Sequence, residues 1–433
     1  MEKFFNLKEL GTNVKTEILA GITTFITMSY VLIVNPKILA TAGFPFEASI
    51  AATIFAAFLG CMLMGLYAKR PFAVAPYIGE VAFISYTVVL ALGFKWQTAL
   101  GAIFISGLVF FILTLLKIRP WLVNSMSETM KLAFTVGLGL FLILVGSLET
   151  GIVKFTQNAI PIQIGDFHNH TILLAIFTFV VIVTLMQRKV KGAILIGILS
   201  STVLGLILGD ISVPEKIISM PPSIMPLVGE LDIAGAFSLE FLPIFFIIFL
   251  LVYVDTMGCM LGVCYKAGLL DEKGCLPEIE KPMLCDSVTT MFAASVGTIT
   301  SGVYLESVTG IESGGKSGLT AVVAGFLFLL GLFFAPLFGM VPPFAYGPAL
   351  IIVGMLMVSI VSKINFEDMT EYVPALFAIT TMVYSYNIGI GMAAGFILYP
   401  ILKVLTGRKK ETNLAMWVLG LFSVGFFVVY PYT

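Results

Sequence analysis

Residues 245–263 read FFIIFLLVYVDTMGCMLGV. A helix that crosses a bilayer needs about 20 mostly apolar residues, and this run comes close to that length with Asp255 as its only charged side chain. A carboxylate in the hydrocarbon core costs on the order of 2.5–3.5 kcal/mol, so an acid at that depth is usually paired or functional. The run therefore predicts a membrane-spanning helix with a buried acid near its centre.

The composition of the whole chain indicates the same class of protein. Its 433 residues are 59% hydrophobic and 11% charged, whereas soluble domains average about 45–50% and about 25%. A soluble protein of this size could not keep so much apolar side chain away from water. The net charge of −1 provides no basic face for nucleic acid, and the sequence has no phosphate-binding glycine loop or zinc-type spacing. We expect a membrane protein that binds no nucleic acid.

Apolar runs of spanning length recur along the chain. Fourteen are predicted, seven on each side of a polar segment, and the first is expected to end at Pro36 because proline interrupts helical hydrogen bonding. They lie at 17–34, 47–68, 76–92, 97–116, 127–149, 171–187 and 191–209, then at 240–265, 282–297, 300–314, 317–338, 345–361, 373–387 and 388–405. A further apolar run, 414–430, is predicted either to cross the membrane or to lie at its surface.

The positions of Lys and Arg predict the orientation of these spans. With the N-terminus in the cytoplasm, twenty Lys and Arg residues fall inside and four fall outside, which together make the 24 in the chain. Cytoplasmic loops of membrane proteins carry such an excess. The outer four are Lys37, Lys95, Lys154 and Lys216. Because the first residues lack the pattern of a cleaved signal peptide, we expect a multi-pass protein of a bacterial-type inner membrane with a cytoplasmic N-terminus.

The two sets of seven spans suggest an internal duplication. An odd number of spans inverts the second copy, as in many secondary transporters. We predict a cytoplasmic N-terminus at 1–16, repeat 1 at 17–209, an extracytoplasmic linker at 210–239, repeat 2 at 240–405 and a tail with an extra apolar segment at 406–433.

The third span of each half supports this duplication. Residues 75–81 read APYIGEV and residues 301–308 read SGVYLESV, so each places Tyr, a branched aliphatic residue and Glu among small residues. The segment 300–314 is also short and rich in Gly and Thr for one crossing helix. Irregular backbone at membrane depth survives only against protein or a water-filled cavity. Matching breaks in two halves therefore predict a central binding site.

Three acids within predicted spans are the candidate site residues: Glu80, Asp255 and Glu306. Each has a structural alternative, as a buried acid that caps a helix end or pairs with a hydroxyl, but we favour substrate or proton binding. No Lys or Arg falls in mid-span, so a metabolite anion would meet an unfavourable site. A neutral planar ligand rich in N–H groups suits carboxylate acceptors, and a buried acid can exchange a proton. Asp286, by contrast, is expected near a helix end or the cytoplasmic edge.

The remaining reactive side chains are expected to be structural. The five cysteines are predicted to be free thiols, without a disulfide framework. His168 and His170 are expected to be solvated loop residues and not a metal pair. The spans contain no His, metal cluster or activated nucleophile that would support an enzyme. We therefore predict a protein that is not an enzyme, with no metal and no cofactor apart from a coupling cation, which we expect to be H⁺.

Several longer motifs occur in a fixed order over roughly residues 10–408. They read GITTFITMSY at 21–30, APYIGE at 75–80, WQTALGA at 96–102, VDTMG at 254–258, KAGLLD at 266–271, YLES at 304–307 and GKSGLTAVV at 315–323. In these motifs the chain resembles the nucleobase–cation symporter-2 superfamily, and specifically its AzgA-like branch of adenine, guanine and hypoxanthine permeases.

The resemblance implies an all-α membrane fold of two inverted seven-span repeats with short strands in spans 3 and 10. Spans 1–4 and 8–11 would form a core domain, and spans 5–7 and 12–14 a gate domain that also forms a homodimer. Transport would be an elevator movement of core against gate. It further implies that Asp255 contacts the base, that Glu306 binds its ring N–H groups, and that these acids or Glu80 carry the proton. The other substrate-binding candidates are Ala82, Leu305, Thr27 and Cys259.

We therefore expect a proton-coupled importer of purine nucleobases. One position departs from the family pattern: many relatives carry Asn where this chain has Val81. An amide can hydrogen-bond a purine edge and Val cannot, a loss on the order of 1–3 kcal/mol. The alternatives are a permease for uracil, xanthine or a modified purine, coupling to sodium, and a passive facilitator.

Overall fold

Long apolar helices make up most of the computed structural model, which describes residues 2–116, 127–156, 162–269 and 276–429. Within these residues, eight helical segments are long and apolar enough to cross a membrane, and four shorter apolar helices accompany them. A helix satisfies its own backbone hydrogen bonds and can therefore cross lipid. The predicted class, a polytopic helical membrane protein, is confirmed.

The first half of the chain contains the predicted spans in order. Its elements are α1 (Val14–Met28), α2 (Val31–Thr41), α3 (Phe46–Leu66), β1 (Val74–Pro76), α4 (Ile78–Ala82) followed by a π-helix (Phe83–Ala91), α5 (Trp96–Leu115), α6 (Glu128–Glu149), the paired strands β2 (Val153–Phe155) and β3 (Ile162–Ile164), α7 (His170–Gln187) and α8 (Ala193–Leu208). Span 1 consists of α1 and α2, and span 3 consists of β1, α4 and the π-helix.

The second half begins with a short helix in the linker. Its elements are α9 (Ile233–Ala236), α10 (Leu242–Lys266), α11 (Glu280–Ser295), β4 (Ser301–Val303), α12 (Ser307–Glu312), α13 (Gly318–Leu330) continued by a 3-10 turn (Gly331–Phe334) and α14 (Ala335–Gly339), α15 (Pro343–Val358) with a 3-10 turn (Ser359–Lys363), α16 (Met369–Tyr384), α17 (Ile388–Leu405), a 3-10 turn (Lys409–Glu411) and α18 (Leu414–Val429). The apolar run 414–430 thus forms α18, which packs against α17 and α10.

Several helices begin at a residue whose side chain accepts from a free backbone N–H of the first turn. Asn13 accepts from the backbone N–H of Thr16 at 3.0 Å and so begins α1. Ser127, Ser317 and Asn387 do the same for α6, α13 and α17. Such caps satisfy donors that an apolar environment would otherwise leave unpaired.

Span 1 differs from its prediction. It does not end at Pro36: α1 ends at Met28, a turn at Ser29 and Tyr30 follows, and α2 continues to Thr41 with Pro36 inside it. Proline removes one hydrogen bond and crowds the preceding turn, so it can bend a helix that packing holds in place. The break therefore lies several residues earlier than predicted, at membrane depth.

The most extensive packing occurs within two groups of helices. In one group, α3 and α1 pack on α13 and α5 packs on α11; in the other, α6 packs on α15 and α16, α16 on α17, and α7 on α8 and α15. We call α1–α5 and α10–α13 the core helices and α6–α8 and α15–α17 the gate helices. They coincide with the core and gate spans that the resemblance implies. The boundaries of the two sequence repeats stay a prediction.

Candidate functional site

The two broken spans meet at a pair of short strands. Strand β1 pairs antiparallel with β4, with Ala75 opposite Gly302, and every residue of both strands is buried. Backbone bonds extend the pairing on both sides, from Tyr77 N–H to Thr300 at 3.0 Å and from Tyr304 N–H to the carbonyl of Ala73 at 3.1 Å. Pairing satisfies the backbone groups that these spans could not bond as helices. The strands expected in spans 3 and 10 are confirmed.

Two tyrosines tie the strands together reciprocally. Tyr77, which follows β1, donates its hydroxyl to the carbonyl of Val303 in β4 at 3.3 Å. Tyr304, which follows β4, donates its hydroxyl to the carbonyl of Pro76 in β1. Their rings are nearly parallel, with centroids 6.0 Å apart and 7° between the planes. These are the two tyrosines of the sequence echo, so equivalent residues of the two halves make equivalent bonds.

The predicted acids converge on this strand pair. Glu80 lies in the first turn of α4, Asp255 in the middle of α10, and Glu306 immediately before α12. Glu80 and Asp255 are close enough for their charges to interact, and Cys259, one turn after Asp255, lies within electrostatic reach of all three acids. Glu80 is 3% exposed, and its Oε1 has no hydrogen-bond partner within the described residues. The structure therefore brings four predicted site residues together.

Span 1 contributes a donor that the sequence did not predict. The Tyr30 hydroxyl, at the break between α1 and α2, donates to Glu306 Oε1 at 2.8 Å, and Tyr30 is 1% exposed. Thr309 links the same two spans, because its hydroxyl lies 2.7 Å from the carbonyl of Glu306 and 3.2 Å from Thr27 Oγ1. Thr27 is thus connected through Thr309 to the backbone carbonyl of Glu306. Its predicted direct contact with the substrate stays a prediction.

Two backbone candidates have different environments. Leu305, between the strand tyrosine and the acid, is 43% exposed and lies against α10 at Gly262. Ala82 ends α4 and is fully buried, so only its backbone could meet a ligand. Their contact with a substrate stays a prediction.

Asp286 contradicts its prediction. It does not lie at a cytoplasmic edge but is 1% exposed within α11, where its Oδ2 accepts a hydrogen bond from the Thr256 hydroxyl at 2.7 Å. Its Oδ1 lies against Gly302 of β4, and its charge interacts with Glu80. The sequence signal for its burial was its position within the predicted span 282–297, four residues after the first residue of that span.

The site brings together several carboxylates that can accept hydrogen bonds. In the described part of the chain, neither Glu80 nor Asp255 forms an ion pair with Lys or Arg. Buried carboxylates need a proton, a cation or several hydrogen-bond donors. A neutral ligand with several N–H groups supplies donors, whereas an anionic ligand would be repelled. The site thus favours an uncharged, N–H-rich ligand and can hold a proton.

Comparison with known proteins assigns the family. Residues 15–398 match the family model Xan_ur_permease, described as a permease family. The chain belongs to this permease family. The match covers most of both helix groups, and the resemblance to the nucleobase–cation symporter-2 superfamily is confirmed. The protein is therefore a multi-pass membrane transporter and not an enzyme.

The permease has full-length relatives in bacteria and archaea. It is 44% identical to the putative permease MJ0326 of Methanocaldococcus jannaschii over 97% of this chain and 96% of that protein. It is 39% identical to the adenine permease AdeP of Escherichia coli over 98% of this chain and 95% of that protein. The identity to the guanine/hypoxanthine permease PbuG of Bacillus subtilis is also 39%, over 99% of each.

Solved structures share the fold of the permease. The transmembrane domain of the cyanobacterial bicarbonate transporter BicA superposes with a TM-score of 0.62 at 16% identity, covering 88% of this chain and 97% of that domain. The structure of SLC26A9 superposes with a TM-score of 0.64 at 10% identity, covering 94% of this chain and 66% of that chain. These likenesses support the architecture alone, since identity is low.

The histidines and the described cysteines of the permease form no metal-binding cluster and no disulfide among the described residues. Across the described ranges, no group of three or more His, Cys, Asp or Glu side chains could hold a metal. His168 and His170 instead bond to Asp166 and Asp210 at 2.9 and 2.6 Å. Cys275 lies outside the described residues. The free thiols in the described residues are Cys61, Cys259, Cys264 and Cys285. That the permease needs no metal or cofactor stays a prediction.

Proposed function

We propose that the permease imports purine nucleobases together with protons. The observation that carries this proposal is the group of acids at the strand pair, in which Glu80 is buried and, among the described residues, neither Glu80 nor Asp255 pairs with Lys or Arg. Relatives at 39% identity are named as adenine and guanine/hypoxanthine permeases, and these bases are neutral, planar and rich in N–H groups. The ligand class that the site favours and the ligands in the relatives' names thus agree.

The base would lie beside Glu306 and Asp255. Tyr30 donates to Glu306 Oε1, and we propose that the same carboxylate accepts from a ring N–H of the base. Asp255, partly exposed on α10, would accept a second N–H, and the exposed side chain of Leu305 would cover part of the ring. Charged acceptors make hydrogen bonds of about 1.5–3 kcal/mol, so two of them would give both affinity and orientation.

Proton coupling follows from the crowding of acids. Asp255 and Asp286 both lie within electrostatic reach of Glu80, and Cys259 lies within electrostatic reach of these three acids and of Glu306. Neighbouring carboxylates in a low-dielectric site cannot all be charged, so at least one retains a proton. A base that donates its N–H groups compensates the acids that remain charged. We propose that proton and base enter together because each lowers the cost of the other.

The movement would carry the core helices past the gate helices. The predicted binding residues lie on core helices or, for Leu305 and Glu306, in the segment between β4 and α12. We propose an elevator movement of this group, with the gate helices as a fixed scaffold and as the contact of a homodimer. The excess of Lys and Arg in the loops assigned to the inside supports a cytoplasmic N-terminus and an inner or plasma membrane.

Competition for uptake tests the substrate. In cells that lack their own purine uptake and express the permease, labelled adenine, guanine and hypoxanthine should compete with one another for entry. Asp255→Asn should abolish uptake while membrane insertion persists, and the exposed loop variant Asp166→Asn should transport normally. Uptake of uracil alone would contradict the purine assignment.

A protonophore tests the coupling. Dissipating the proton gradient should stop accumulation of the labelled base, and Glu306→Gln should remove the pH dependence of base uptake. Accumulation that depends on sodium instead would overturn proton coupling. Unchanged flux in Glu306→Gln, without accumulation against a gradient, would indicate a passive facilitator.

A further inference from the structure

The end of α6 meets span 3 at a polar contact away from the proposed binding site. Glu149 ends α6, and its Oε1 accepts a hydrogen bond from the Tyr86 hydroxyl at 2.7 Å. Its Oε2 accepts from the Tyr346 hydroxyl, also at 2.7 Å. Tyr86 belongs to the π-helix of span 3, a core element, whereas Tyr346 belongs to α15, a gate helix. One carboxylate therefore joins a core element to two gate helices.

The residue after Tyr86 also bonds to the gate. The Thr87 hydroxyl donates to the carbonyl of Tyr386 at 3.3 Å, in the turn between α16 and α17. Tyr386 has φ 52°, a left-handed conformation that is unfavourable for a residue with a Cβ, and its ring packs edge-on to Tyr86 with centroids 6.5 Å apart. Unfavourable backbone of this kind persists where the surrounding structure fixes it. The gate thus presents two acceptors to two consecutive residues of the π-helix.

Nearer the binding site, span 3 packs on α6 through an apolar contact. Gly79, which precedes Glu80, packs so closely on Leu138 of α6 that a Cβ there would collide with the Leu138 side chain. A glycine packed against an aliphatic side chain makes no hydrogen bond that would have to break if the two elements moved apart. The same two elements are therefore in apolar contact next to the site and joined by a charged hydrogen bond at the end of α6.

We propose that Tyr86 and Glu149 form a releasable latch that holds span 3 against the gate helices in the present conformation. The second tyrosine explains how it can release. When Tyr86 leaves, Glu149 keeps the bond from Tyr346, so this partly buried carboxylate retains one donor, and the loss of both would be costly. Because Glu80 and strand β1 lie on the same span as Tyr86, opening the latch frees the binding site to move. The role in transport rests on the proposed function, whereas the latch itself does not.

A matched pair of variants distinguishes a bond that links core and gate from a bond within the gate helices. Tyr86→Phe and Tyr346→Phe each remove one hydroxyl from the same carboxylate, but only the first removes a link between core and gate. Spin labels at exposed Lys95→Cys and Lys154→Cys, on the core and gate sides, report their separation by double electron–electron resonance without substrate. A labelled parent without the two new cysteines measures background from the native thiols.

We expect Tyr86→Phe to raise the ratio of the longer-distance population to the shorter one about tenfold, the effect of losing roughly 1.4 kcal/mol. Tyr346→Phe should change that ratio by less than about threefold. An unchanged ratio in Tyr86→Phe, or an equal change in both variants, would overturn the latch. Hydrogen exchange of the backbone amides of residues 83–91 tests the latch without spin labels. We expect it to become faster in Tyr86→Phe and to stay unchanged in Tyr346→Phe. If purines fail to bind the unaltered permease, the proposed function fails, but these comparisons still decide the latch.

Discussion

Replacing Tyr30 by Phe should weaken base binding about tenfold. The change keeps the ring, which is 1% exposed, and removes the hydroxyl that donates to Glu306 Oε1 at 2.8 Å. A hydrogen bond to a charged group contributes about 1.5–3 kcal/mol. The bond from Tyr30 to Glu306 exists before the base arrives, so most of its free energy is the same in the free and bound states. Only the contribution that comes from orienting Glu306 toward the base affects the binding free energy. We expect a loss of about 1.4 kcal/mol, which is a tenfold rise in Kd.

Isothermal titration calorimetry on the permease in lipid nanodiscs measures this change. Tyr346→Phe is the control, because it removes a hydroxyl from an equally short bond to Glu149, at 2.7 Å and away from the strand pair. The affinity ratio between the preferred purine and its ring N-methylated analogue should fall in Tyr30→Phe, whereas general instability would lower both affinities together. The same Kd as the unaltered protein, or an equal loss in the control, would refute the positioning of Glu306 by Tyr30.

Three further substitutions test the packing, each by thermal unfolding in detergent. Glu17→Ala should lower stability by about 1–3 kcal/mol, because the buried carboxylate accepts from backbone N–H groups at the start of α13; an unchanged unfolding temperature would contradict this. Gly318→Ala should cost about 1–3 kcal/mol, since a Cβ there would collide with the carbonyl of Gly65, and normal stability would disprove the close approach of α3 and α13. Lys403→Met should cost about 2 kcal/mol, because this 1% exposed ammonium pairs with two carboxylates at 2.6 and 2.7 Å; a loss as small as that of the exposed Lys410→Met would argue against the pairing.

Much of the fold could be predicted because lipid imposes it on local sequence. The apolar run around Asp255 became α10, and the paired breaks in spans 3 and 10 became β1 and β4. The end of span 1 was predicted wrongly at Pro36. The effect of a proline depends on the packing around it, which a single segment does not reveal. The contact of α18 with α10 and α17 also depends on surfaces distant in sequence.

The acids of the site were visible because a charge in an apolar run is costly wherever it occurs. Their partners were not visible. Tyr30 and Glu306 are 276 positions apart, and a tyrosine in an apolar span reads equally well as a lipid-facing or core residue. Asp286 was expected near a helix end or the cytoplasmic edge, whereas it is buried within α11. The sequence thus shows which charged side chains in apolar spans need a partner, and the three-dimensional structure shows which residues are those partners.

Base-driven proton movement into proteoliposomes tests the central claim most directly. Purified permease would be reconstituted with a pH-sensitive dye inside, without any imposed gradient, and adenine, guanine or hypoxanthine added outside. We predict acidification of the interior that begins when the base is added, matches its uptake and is lost in Asp255→Asn. Base uptake with no acidification, or acidification that persists in Asp255→Asn, would contradict the claim that the acids at the strand pair bind base and proton together.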